Sequence, residues 1–72
     1  MNKDNQVKEL AAKVLNVFGY INMQPEYITV LDYTEVIVGG YFDYILVSDG
    51  KQKYELSFEF QKNKMSWDLE VK

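Results

Sequence analysis

The chain has 72 residues, a formal net charge of -3, and hydrophobic and aromatic fractions of 47% and 15%; this length excludes two ordinary domains, and so apolar a chain at so small a charge is not disordered. It has neither Cys nor His, which excludes disulfides, imidazole or thiolate metal centres and the usual nucleophile–base pairs. Every basic residue is Lys and the pI is near 4.7, so no guanidinium forks onto phosphate and the chain as a whole repels a polyanion; direct nucleic-acid binding is not expected.

A domain of this size buries only roughly 60% of the surface its unfolded chain exposes, so its stability must come from dense packing or self-association. The start of the chain, Met1-Asn2-Lys3-Asp4-Asn5, is polar and leads into an amphipathic segment. With no apolar run for a signal peptide or a spanning helix, the expectation is a cytoplasmic protein with no membrane partner. Lys without Arg, with many Asn, Tyr and Ile, is also what an AT-rich genome encodes, which points to a bacterial source or its phages and mobile elements.

Apolar residues at Val7, Leu10, Ala11, Val14, Leu15, Val17 and Phe18 follow one helical face, and Lys8, Glu9, Lys13 and Asn16 occupy the other. This spacing predicts a helix over residues 4–18, with Asn2 or Asp4 at its start and Gly19 as the left-handed residue at its end. Its polar face mixes Lys with Glu and lacks a cationic stripe, so it reads as a core-packing helix and not as a membrane-surface one.

Beyond Gly19 the period becomes two, and Pro25 stands where it can begin a strand. Turn signals at Gly39-Gly40, Asp49-Gly50 and Lys62-Asn63 divide the remainder into strands of about 26–38, 41–47, 51–61 and 64–71. The first is long, and its two alternations predict a bulge or break near Asp32 to Thr34. No Lys-Ser or Lys-Thr follows Gly39-Gly40, so that pair is a hairpin turn and no phosphate loop. The fold class is α+β: one N-terminal helix packed on a four-stranded antiparallel meander. This outline is similar to the cystatin-like arrangement in element order, with no inhibitory loop motif of that family.

A two-residue loop at Lys62-Asn63 sets Phe60 opposite Met65, Phe58 opposite Trp67, Leu56 opposite Leu69 and Tyr54 opposite Val71, with every apolar residue on one face. For the preceding hairpin, a two-residue loop would bring Asp43 onto the apolar face opposite Leu56. A three-residue loop with Gly50 left-handed pairs Tyr44 with Tyr54 and Phe42 with Leu56 and turns Asp43 outward against Glu55. Burying Phe42, Tyr44 and Leu46 is worth on the order of 1.5–3 kcal/mol each, which favours the three-residue loop.

That register places Asp43, Glu55 and Glu70 in one row across three strands on the face away from the helix, flanked by Glu59 and Asp68, with Tyr41, Ile45 and Val47 beside them. Stacked carboxylates at ~5 Å suit general acid–base work or a shared cation, but a flat, wet sheet offers no cleft for either. Exposed Tyr residues on a sheet can stack bases, yet RNA-binding sheets add cations where this one adds acids. Outward charges also simply keep a sheet soluble. The sequence therefore points to a non-enzymatic, cofactor-free module. Its candidate partner-binding residues are Tyr41, Asp43, Ile45, Glu55, Glu59, Asp68 and Glu70, and the expected partner is a protein with a basic surface. An inhibitor from a phage or mobile element that occupies a nucleic-acid-binding surface is the sharpest form of this expectation. The alternative is a structural protein that forms a homodimer through its sheet, and a small-molecule carrier ranks third.

Overall fold

A computed structural model describes residues 3–61 and 64–72, with only the backbone of 60, 61, 64 and 65. Helix α1 spans Asp4–Val17 and is followed by a short 3-10 turn, Pro25–Tyr27. Strands β1 (Thr29–Val36), β2 (Tyr41–Ser48), β3 (Lys53–Gln61) and β4 (Lys64–Val71) form one antiparallel sheet in the order β1-β2-β3-β4. The expected architecture is the observed one. Pro25 opens the 3-10 turn and not a strand, because its fixed φ suits a first helical position, so β1 begins three residues later than expected.

The helix starts with Asp4 in its first turn, where a carboxylate complements the helix dipole, and Lys3 at the cap makes no side-chain capping bond. Asn2 lies outside the described residues. At the other end, Gly19 adopts φ 109°, its N–H donates to Asn16 O, and Tyr20 N–H donates to Leu15 O at 2.9 Å. These are the two bonds of a Schellman cap, which needs a left-handed residue at that position. Asn16 Nδ2 donates to Ala12 O and Met23 O, tying the helix to the segment after it. The Tyr20 ring then meets Tyr54 edge-on at 5.1 Å.

Val7, Ala11, Ala12, Val14 and Leu15 bury the inner face of α1 against Ile28, Phe42, Ile45, Val47, Tyr54 and Leu56. The helix backbone runs closest to the 3-10 turn, β1 and β2. Leu56 is fully buried, whereas Trp67 and Leu69 are packed against the core's margin and remain half-buried, as does Phe58. Leu56, Phe58, Trp67 and Leu69 share the face on which the helix packs, but the helix leans toward β1 and β2, so the β4 side is only partly covered.

The last hairpin has the expected register, with Tyr54 opposite Val71, Leu56 opposite Leu69, Phe58 opposite Trp67 and Phe60 opposite Met65; the turn Lys62-Asn63 itself lies outside the described residues. The β2–β3 register differs. Tyr44 pairs with Ser57, Ile45 with Leu56, Leu46 with Glu55 and Val47 with Tyr54, so neither Tyr44–Tyr54 nor Asp43–Glu55 is a pair. Ile45 and Val47 face the helix and Tyr44 and Leu46 face away, the reverse of the expectation.

Two bulges explain how this arrangement still buries Phe42. Val30 pairs with Val47 but Asp32 with Leu46, leaving Leu31 as an extra residue in β1. Thr34 pairs with Tyr44 but Glu35 with Phe42, leaving Asp43 as an extra residue in β2. The first bulge lies one residue before the expected stretch. The second flips the alternation of β2, so that even-numbered Phe42 joins odd-numbered Ile45 and Val47 in the core. Phe42 then meets Tyr33 edge-on at 5.5 Å, and Lys3 Nζ donates to both carboxylate oxygens of Glu35 beside it.

Leu56→Ala is expected to cost about 2–5 kcal/mol in urea unfolding, as for a filled core site. Trp67→Ala should cost clearly less, because part of its surface already meets water. An equal or greater loss for Trp67 would contradict the lean of the helix toward β1 and β2.

Candidate functional site

The face of the sheet opposite the helix carries the candidate site. Antiparallel pairing puts opposed residues on the same face, so the observed register builds a row of Asp32, Leu46, Glu55 and Glu70 across β1 to β4, next to a row of Thr34, Tyr44, Ser57 and Asp68. Among the described residues, no helix lies over this side.

Of the seven residues expected here, Glu55, Glu59, Asp68 and Glu70 are on this face, with Glu55 opposite Glu70, Ser57 opposite Asp68 and Glu59 opposite Ser66. Ile45 is not: it is fully buried in the core. Asp43 does not join the carboxylate row, because it is the bulge residue, and its Oδ1 is buried without a hydrogen-bond partner. Tyr41 is 40% exposed and packs edge-on against the Phe58 ring at 5.5 Å, so its ring meets an apolar neighbour and not the acidic row. The sequence reading missed Asp32, Tyr44 and Leu46, which take the places given to Asp43, Ile45 and Tyr41.

The row is not a bare stack of like charges. Tyr44 Oη donates to Glu55 Oε2 at 3.0 Å, and Lys72 Nζ lies 3.6 Å from Glu55 Oε1 and 3.7 Å from Glu70 Oε2. Lys72 reaches them because its backbone N–H continues the β3–β4 ladder by donating to Lys53 O at 2.8 Å. The hydrogen bond to Glu55, then the loss of water around the phenol and the charges of Glu55 and Asp32, raise Tyr44 above its ordinary value. Glu55 is thus held from two sides at the centre of the face, while Glu70 is mostly exposed.

The loop that fixes this register has four residues, Asp49 to Gln52, and Asp49 organises it. Its Oδ1 accepts from the N–H groups of Lys51 and Gln52, both at 2.9 Å, and its Oδ2 accepts from Tyr54 Oη at 2.8 Å. Gly50 adopts the expected positive φ, 92°. The Gln52 and Lys51 amides hold the Asp49 carboxyl below its ordinary range. Burial, and then Asp49 itself, pushes the Tyr54 phenol up to about 12. An aspartate followed two and three residues later by amides to cap was the available signal for this longer loop.

Among the described residues no three carboxylates come together as a metal-ion site, and no helix is long and apolar enough to cross a membrane. Comparison with protein-family models, with curated proteins and with solved structures finds no match.

Two measurements test the loop. Gly50→Ala should destabilise the protein by about 1 kcal/mol through backbone strain alone, since open space surrounds the added Cβ. Asp49→Ala should destabilise it by about 1 kcal/mol at neutral pH, since three hydrogen bonds are lost but the loop lies at the surface, where water replaces most of their worth. Because the folded-state pKa of Asp49 is lowered, its contribution is present above the ordinary carboxylate range and lost as pH falls through the depressed value. Wild type and Asp49→Ala should therefore converge in acid. The raised Tyr54 acts in the other direction, its contribution being present below its ordinary value of 10.0 and lost as pH rises toward about 12. A gap between the two proteins that persists unchanged at low pH would contradict the role given to Asp49.

Proposed function

We propose that the chain is a non-catalytic protein-binding module that docks a basic protein surface on its uncovered sheet face. The observation that carries this reading is the row Asp32, Leu46, Glu55 and Glu70, in which an apolar side chain sits between carboxylates and Tyr44 holds the central one. Charge on such a face steers a basic partner and speeds association, while tyrosine and leucine provide contact area that loses water on binding. A carboxylate already held by a neighbour loses less freedom when a partner's lysine or arginine arrives.

The chain's acidity and its lack of Cys and His support binding over catalysis. The finer form of the reading is an inhibitor, made by a phage or mobile element in a bacterial cytoplasm, that occupies a surface otherwise given to nucleic acid. Such a partner presents lysine and arginine at the spacing of a phosphate backbone, which a row of carboxylates can meet.

The test is a pull-down from the source cell with three baits: wild type, Asp32→Asn/Glu55→Gln, and Tyr44→Ala. The wild type should retain a basic protein that the double variant loses, more completely at low salt than at high, since only the charge contribution is screened. Tyr44→Ala should weaken retention at every salt concentration. The same proteins retained equally by all three baits would refute the outer face as the docking surface.

A further inference from the structure

The two edges of the sheet are unlike. At one edge, the Leu31 bulge breaks β1, a common protection against edge-to-edge pairing. At the other, β4 pairs residue for residue with β3 from Gln61–Lys64 to Tyr54–Val71, with no bulge, and it contains no Pro. Lys72 N–H bonds to Lys53 O, and by the alternation of an antiparallel ladder the N–H and C=O groups of Trp67, Leu69 and Val71 then turn outward, away from β3.

Beside this open ladder lies apolar surface. Val17 is 86% exposed, and Phe18 and Val71 are each 43% exposed. A groove of about 410 Å³ runs between the end of α1 and β4, lined by Lys13, Val14, Val17, Phe18, Ser66 and Trp67. The accessible surface of the 8.5 kDa chain, 5207 Å², also exceeds the roughly 4,700 Å² expected of a monomer of this mass.

We propose that a second copy of this chain occupies the β4 edge, joining two sheets into one of eight strands about a two-fold axis at Trp67. Charge selects both the partner and the register. An antiparallel β4–β4 pair centred on Trp67 sets Ser66 of each copy opposite Asp68 of the other, and Lys64 opposite Glu70. A pair centred on Asp68 would oppose the two Asp68 carboxylates, and one centred on Leu69 would oppose Asp68 to Glu70 twice. A pair centred on Ser66 would set Asp68 against Lys64 but would pair only residues 64–68 of β4; the Trp67 register sets each carboxylate against a neutral or basic residue while pairing residues 64–70. It also brings the two Trp67 side chains together and places both helix ends, with Val17 and Phe18, along the seam. This surface shares Asp68 and Glu70 with the docking face, but the docking test changes Asp32, Glu55 and Tyr44 and the dimer test changes none of them, so the two proposals can fail separately.

Sedimentation of the full chain from micromolar to millimolar concentration tests it. The wild type should show a reversible monomer–dimer equilibrium. Ser66→Asp, a change at an exposed site, should weaken the dimer by roughly fivefold or more, since it opposes two pairs of carboxylates. Adding Asp68→Lys to Ser66→Asp should restore it, because the Trp67 register then opposes the introduced carboxylate to the introduced amine on both sides of the axis. Val17→Glu should weaken the dimer while circular dichroism stays unchanged. In the wild type, the Trp67 and Leu69 amides should exchange more slowly as concentration rises. A monomer at millimolar concentration, or a dimer indifferent to Ser66→Asp, would overturn the proposal, and failure of the double variant to recover would overturn the register.

Discussion

One extra residue in β2 decides what each side of the sheet presents. A strand has only two faces, and regular alternation would let β2 send either Phe42, Tyr44 and Leu46 or Asp43, Ile45 and Val47 toward the helix. The Asp43 bulge removes that choice. It lets Phe42, Ile45 and Val47 all reach the core and leaves Tyr44 outside, where its hydroxyl has Glu55 to bond. Burying Tyr44 instead would have required a partner for that hydroxyl inside the core. The Leu31 bulge compensates in β1, so the two strands leave their shared ladder in the register in which they began.

The outer face follows from the same event. With Leu46 opposite Glu55 and Asp32 beyond it, the Asp32 and Glu55 carboxylates are spaced by an apolar residue, and only Glu55 and Glu70 oppose each other on adjacent strands. Lys72 near Glu55 and Glu70 and the Tyr44 hydroxyl offset repulsion between these groups, which is small in salt. Acidity here is compatible with a marginally stable domain.

The parts legible in the sequence were those governed by one uninterrupted period. Helix α1 showed its apolar face and its Gly19 cap, and the β3–β4 hairpin showed its register because Tyr54 through Phe60 and Met65 through Val71 alternate without a break. Glu55, Glu59, Asp68 and Glu70 were therefore placed on the correct face. The β2–β3 pairing was not legible by the same reasoning, since a bulge makes the alternation of β2 change sign midway. The connection is also longer than either a two- or a three-residue loop: four residues, capped by Asp49, set the register. Asp43 and Ile45 were misplaced for that reason, and Asp32, Tyr44 and Leu46 were missed.

The most direct test of a docking face centred on Glu55 is hydroxyl-radical footprinting of the labelled protein in extract of its source cell, compared with buffer. Tyr44 and Leu46 should be protected in the extract, while Tyr27, exposed near the far edge of the sheet, should react equally in both. Equal labelling of Tyr44 and Leu46 in extract and buffer would contradict the account.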